Sequence, residues 1–215
     1  MLKPPYMKRL FTLFISATFA CVTLFAQESD IRKVAIHYKN MKTMTATATR
    51  TKHNAAVADD AVVKGEFYFK NPDKMCMIFN DGKDMLLMDG SVFTMVNNGK
   101  KSIAKGETAR QFESLQVVFK HLMSGKESDN SINELADVEI TKQNQMCVVT
   151  VTPVVSDAKA KRRLMFTSFV LTIDTQSSEF KSLRMNERGK NYTQYDLSGY
   201  VLDGVISDSV FHSEF

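Results

Sequence analysis

Glycine and proline are scarce in this chain, nine and four among 215 residues, and tryptophan is absent. So little of either turn-former excludes collagen-like and low-complexity segments. With 44% hydrophobic and 24% charged residues, the composition also excludes intrinsic disorder and a polytopic membrane protein. A large charge of one sign is missing too. The formal net charge is +4, but three of those charges, Lys3, Lys8 and Arg9, precede residue 27, where no acidic residue stands, leaving +1 for the rest. The electrostatic basis for nucleic-acid binding goes with them.

Signs of catalysis are equally sparse. There is no Gly-Xaa-Ser-Xaa-Gly elbow, no phosphate-cradling glycine loop and no dinucleotide fingerprint. The four histidines, His37, His53, His121 and His212, form no pair at metal-ligand spacing. Asp59-Asp60 is an adjacent acidic pair in an expected turn, which reads as a solvated loop tip rather than as glycosidase carboxylates. No catalytic residue, metal or cofactor is expected, and the chain reads as a non-enzyme.

What is present begins with Lys8-Arg9, an apolar run from Leu10 to Phe25, and then Ala26-Gln27-Glu28. That order of positive, apolar and small residues is a secretory signal, with cleavage expected after Ala26. Ser16, Thr18 and Thr23 break the run, which is too short for a membrane span. Cys21 raises lipidation, but Thr18-Phe19 fits that pattern poorly and the apolar stretch continues past the cysteine. The expected division is therefore a signal peptide over 1–26 and one domain over 27–215, exported to a periplasm-like space. There Cys76 and Cys147 could pair. Both also stand in apolar strands, where an unpaired cysteine is an ordinary small hydrophobe, and that reading is preferred.

The hydrophobic period then decides the elements. Ile31, Val34, Ala35, Tyr38 and Met41 recur at helical spacing and predict a helix over 28–43. Alternation predicts strands over 43–49, 62–70, 74–79, 83–88 and 91–96, separated by the hairpin pairs Asp81-Gly82, Asp89-Gly90 and Asn98-Gly99. An amphipathic stripe of Phe112, Leu115, Val118, Phe119 and Leu122 predicts a second helix over 108–123. A loop is expected over 126–133, and strands over 138–142, 146–152, 163–174, 179–186 and 191–197. The fold class is mainly β, of the α+β kind, with an antiparallel meander and no βαβ alternation. The basic run 157–163 reads as a charged hairpin tip, with docking to an acidic partner or lipid headgroups as its alternative.

Phe67, Phe69, Met75, Met77 and Phe79 fall at alternate positions and share one face, while Met85 to Met88 make the next strand apolar on both sides. Two of the 13 methionines and four of the 15 phenylalanines precede residue 27, so eleven of each remain. Methionine adapts its shape without branching, which suits a cavity for flexible apolar guests. Periodicity alone favours an ordinary core packed on the two helices.

The segment Gly65-Glu66-Phe67-Tyr68-Phe69-Lys70-Asn71-Pro72-Asp73-Lys74-Met75 resembles the periplasmic lipoprotein carriers of the LolA type, which join two apolar strands through a proline turn. Asp89-Gly90-Ser91-Val92-Phe93, Arg188 to Thr193 and Ile206 to Phe211 resemble later parts of the same family. The resemblance covers most of residues 27–215. It implies an unclosed antiparallel half-barrel whose concave face, covered by helices, holds the acyl chains of lipoproteins or another lipid. It further implies a monomer in the periplasm, an inner-membrane release complex and an outer-membrane acceptor as partners, and no nucleic acid. Phe67, Phe69, Met75, Met77 and Phe79 would line the cavity from the sheet, with Tyr38, Met41, Phe112, Leu115 and Phe119 from the helices. The resemblance also implies lid control by the residue before the proline, an arginine in the family and Asn71 here, which can donate and accept hydrogen bonds but carries no charge. A sensor or regulator on the same scaffold, binding a lipid or a membrane partner's periplasmic domain without transport, is the alternative function.

Overall fold

A computed structural model describes residues 36–38, 40–124, 131–155 and 158–212. The expected signal peptide and Cys21 lie outside these residues. Of the helix expected over 28–43, residues 36–38 are helical, a turn with Met41 N donating to Tyr38 O (3.0 Å) leads out of them, and the preceding part lies outside the described residues.

Eleven strands make one sheet: β1 (Thr43–His53), β2 (Ala61–Lys70), β3 (Lys74–Phe79), β4 (Asp84–Asp89), β5 (Val92–Asn97), β6 (Lys100–Ile103), β7 (Ala136–Gln143), β8 (Met146–Pro153), β9 (Ser168–Asp174), β10 (Phe180–Asn186) and β11 (Tyr192–Leu202). Their order is β6-β5-β4-β3-β2-β1-β11-β10-β9-β8-β7. Every pairing is antiparallel. The two end strands, β6 and β7, do not pair with each other, so the barrel stays open. Two meanders are thus joined by the pairing of β1 with β11. Helix α1 (Glu107–Ser124) and the short helix α2 (Ser131–Leu135) connect the meanders, and α3 (Ala158–Arg163) precedes β9.

Local chemistry explains most of these boundaries. Asn98 and Gly99 both take positive φ, 49° and 74°, as a tight hairpin turn with the twist of its strands requires. Gly65 answers a different need. A Cβ there would lie 2.1 Å from Ile78 O and 2.4 Å from the Phe79 ring, so only glycine lets that ring lie over β2.

Several expectations are corrected. The Asn98-Gly99 turn leads into an additional strand, β6, which the short polar sequence Lys100-Lys101-Ser102-Ile103 did not announce. Part of the loop expected over 126–133 is helical from Ser131. The basic run does lie in the connection between the paired strands β8 and β9, but Ala158–Arg163 is helical and the strand after it begins at Ser168 rather than at 163. Alanine, lysine and arginine are strong helix formers, which explains that difference.

The curvature of the sheet follows from its spacing. Seven steps separate β5 from β9, which in a flat sheet would be about 34 Å at about 4.8 Å per step. Yet Phe112 stacks on Phe93 of β5 at 4.4 Å and meets Phe169 of β9 at 6.0 Å between ring centroids. The sheet therefore curls around α1 as a half-barrel. Its concave face holds the large apolar cluster, including Met44, Phe67, Met77, Val149, Phe169, Leu171, Leu183 and Leu197. A smaller cluster, Cys76, Met85, Leu87, Val96 and Phe211, lies on the convex side of β3 to β5 beneath the 3-10 turn Asp208–Phe211.

Candidate functional site

The concave face is built from strict alternation on most strands. Met44, Ala46 and Ala48 of β1 point inward, as do Phe67 and Phe69 of β2 and Met75, Met77 and Phe79 of β3. On β4 the two faces separate: Leu86 and Met88 join the concave layer, while Met85 and Leu87 join the convex cluster. The same division accounts for the cysteines. Cys147 belongs to the concave layer and Cys76 to the convex one, and no disulfide joins them. Burial pushes the Cys76 thiol up to about 12, so it is protonated and inert at neutral pH.

Helix α1 closes the trough with two aromatic wedges. Phe112 stands between Phe93 on one wing and Phe166 and Phe169 on the other. Two turns later Phe119 meets Phe69 of β2 and Phe180 of β10, each at 5.5 Å and edge to face. Two glutamines add polar ties to opposite wings. Gln116 Nε2 donates to Gly90 O in the β4–β5 turn, and Gln111 Oε1 accepts from Phe166 N at 2.9 Å.

Every residue expected to line the cavity is buried in this one layer: Phe67, Phe69, Met75, Met77 and Phe79 from the sheet, Phe112, Leu115 and Phe119 from α1, and Tyr38 and Met41 from the segment before β1. Tyr38 accepts a hydrogen bond from Phe180 N (3.2 Å), and burial raises its phenol to about 12. The sequence reading missed Met88, Leu171, Phe180 and Leu183. Alternation on β9 and β10 carried that signal, but only curvature brings those strands opposite β3 and β4. Among these side chains a void of about 10 Å³ remains, lined by Met75, Met88, Leu115, Phe119, Leu171, Phe180 and Leu183. That is the scale of a single water molecule and far below the bulk of an acyl chain.

Asn71 acts elsewhere than on α1. Its Nδ2 donates to Met41 O (2.8 Å) and its backbone N to Lys42 O (2.9 Å), fixing the segment that carries Tyr38 and Met41 into the layer. One end of the trough is polar. Arg50 Nη2 (2.7 Å), Asn80 Nδ2 (2.6 Å) and Asn98 N (2.8 Å) all donate to the buried carboxylate of Asp84. Burial alone would raise that carboxyl, but these bonds and the Arg50 charge outweigh it and hold the carboxyl below its ordinary value.

The residues weighed for chemistry do not converge. His37 and Asp59 are exposed. His53 Nδ1 lies 2.7 Å from Asp60 Oδ1 and its ring stacks on Tyr192, away from the trough. Among the described residues there is no group of three or more His, Cys, Asp or Glu able to hold a metal, and no helix long and apolar enough to cross a membrane. The basic run meets a second basic segment: Lys161 and Arg162 line a groove of about 630 Å³ with Arg188, Val154, Val155 and Leu164, and Arg188 Nη2 donates to Lys161 O.

No protein-family model matches the chain, and no curated protein sequence matches it. Solved structures do. A LolA superfamily protein from Nitrosomonas europaea is 8% identical, with 87% of this chain and 97% of that one covered and a TM-score of 0.42. A putative outer membrane lipoprotein-sorting protein domain from Vibrio parahaemolyticus is 12% identical, with 84% and 95% covered and a TM-score of 0.40. MucB of Pseudomonas aeruginosa, solved with MucA, is 11% identical, with 87% and 61% covered and a TM-score of 0.40. The open antiparallel half-barrel with a helix against its concave face is the architecture that the sequence resemblance implied.

Proposed function

We propose that this chain is an exported, non-enzymatic carrier that takes the acyl chains of lipoproteins into its concave layer and moves them between an inner and an outer membrane. The observation that carries the reading is the relation of α1 to the trough: one helix, through Phe112 and Phe119, fills a wide apolar surface contributed by both wings. Moving a ~16-carbon chain from bilayer to water costs on the order of 10 kcal/mol, at about 0.8 kcal/mol per methylene. A carrier must offset most of that cost and still release its cargo. Exchange between helix and acyl chain meets both demands, because the surface uncovered by the helix is covered again by the guest. Methionines 44, 75, 77 and 88 let that surface fit chains of different shape. Asn71 keeps Tyr38 and Met41 in place during the exchange, while the glutamine ties of α1 are neutral and reversible.

The absence of tryptophan supplies the test. A Phe119→Trp variant carries a single indole beside the void. Its fluorescence should be quenched by acyl chains brominated along their length and not by soluble bromide, and protein purified from an exporting host should release lipoproteins from inner-membrane preparations. An indole untouched at saturating brominated lipid would end the reading.

A non-transporting regulator draws support from the basic groove at Lys161, Arg162 and Arg188, which would suit an acidic partner domain. Recovery of a membrane signalling protein on this chain, with no lipoprotein released, would favour it.

A further inference from the structure

Helix α1 turns inward an amide that the fold leaves half satisfied. Gln111 is 1% exposed, and its Oε1 accepts from Phe166 N at 2.9 Å, which fixes the orientation of the amide. Among the described residues its Nε2 is the buried side-chain polar atom that has no hydrogen-bond partner. The neighbouring buried hydroxyl differs, since Ser114 Oγ donates to Gln111 O at 2.7 Å. A donor stripped of water and given no acceptor destabilises the closed form. Gln111 also stands four residues before Leu115, hence on the same helix face and one turn from the void that Leu115 and Phe119 line.

We propose that Gln111 Nε2 is the contact for the carbonyl oxygen that joins an acyl chain to its headgroup, so the trough selects ester- or amide-linked acyl chains over hydrocarbon of equal length. This rests on the acyl-carrier reading and names the polar end of its ligand. A carbonyl supplies the acceptor that Nε2 lacks, and it does so in a dry site where one hydrogen bond discriminates strongly. The methylenes beyond it then lie against Leu115 and Phe119.

The experiment compares a diacylglycerol with the dialkyl ether of the same chain length, using the Phe119→Trp reporter in the full chain. The ester should bind about five- to tenfold more tightly than the ether, the discrimination expected of one buried hydrogen bond. Gln111→Met should bring the ratio to about one by raising the ester's dissociation constant alone. Gln111→Leu, which also removes the donor, should give the same ratio and covers the case in which the methionine variant does not fold. Equal binding of ester and ether by the unsubstituted chain overturns the role of Gln111 and leaves the carrier reading standing. Binding of neither lipid overturns both. A preference that survives both substitutions places the selecting donor elsewhere and also sinks the proposal.

Discussion

The wing formed by β2 to β5 and the wing formed by β7 to β10 use the same antiparallel pairing but bury different numbers of faces. In β4, five consecutive residues from Asp84 to Met88 are buried, because α1 covers one side and the turn at Phe211 covers part of the other. In β9 burial alternates strictly through Phe169, Leu171 and Ile173. Side-chain choice follows. Strands β3 to β5 carry Met75, Met77, Met85, Met88 and Met95, whereas β7 to β10 carry two methionines, Met146 and the buried Met185, among valine, leucine, isoleucine and phenylalanine. A wing of branched side chains holds its shape, and one rich in methionine yields. The pairing of β1 with β11 joins a stiff wall to an adaptable one, with α1 wedged between them.

The two wings meet on one wedge, the Phe112 ring of α1. Phe112→Ala removes the ring that touches both wings and should destabilise the protein by about 4 kcal/mol, read from denaturant midpoints. A loss below about 1 kcal/mol would mean that the wings do not depend on the helix.

Asp84→Ala should cost about 3 kcal/mol, since it strands the Arg50 guanidinium on β1 and Asn98 N in the turn after β5. The pH dependence has a definite sign. With the folded carboxyl held below its unfolded value, the stabilisation is present above the ordinary carboxylate range and is lost as pH falls through the lowered value. Urea midpoints for the unsubstituted chain should therefore drop in acid more steeply than those of Asp84→Asn. At the alkaline end Tyr38, raised to about 12, favours the folded state below pH 10, and that contribution disappears as pH climbs toward 12.

Gly65→Ala should cost about 2 kcal/mol by overpacking, because a methyl meets Ile78 O and the Phe79 ring. Phe79→Leu in the same chain should recover part of it, and a double-mutant cycle measures how much. The smallest effect sharpens the contrast most. Met75→Leu with Met88→Leu should change stability by less than about 1.5 kcal/mol, while narrowing the range of acyl lengths that quench the Phe119→Trp reporter. The paired change Leu171→Met with Leu183→Met on the stiff wing should widen that range.

Several of these features could be read before any coordinates. Hairpin pairs at 81–82, 89–90 and 98–99 and alternation through Phe67 to Phe79 are local signals, set by the positive φ of turns and the two-residue period of a strand. The doubly apolar Met85 to Met88 announced two covered faces but not what covers them. That Phe211, 124 positions beyond Leu87, does so is a long-range contact that leaves no mark on either segment alone. Helix 158–163 was misread because a short basic run carries no apolar period, and its helical propensity spoke only through Ala, Lys and Arg.

Residue order alone settled that this chain forms a β-meander interrupted by one long amphipathic helix, and that its strands share an apolar face rich in methionine and phenylalanine, because strand period and turn chemistry are written within a few neighbours. Curvature belonged to the tertiary structure. Whether the face is a core or a trough depends on how far eleven strands curl without closing, and on Phe112 and Phe119 reaching wings up to seven strands apart. The unpaired amide of Gln111 is of the same kind, since a polar residue on an amphipathic helix is ordinary until the fold seals it away from water.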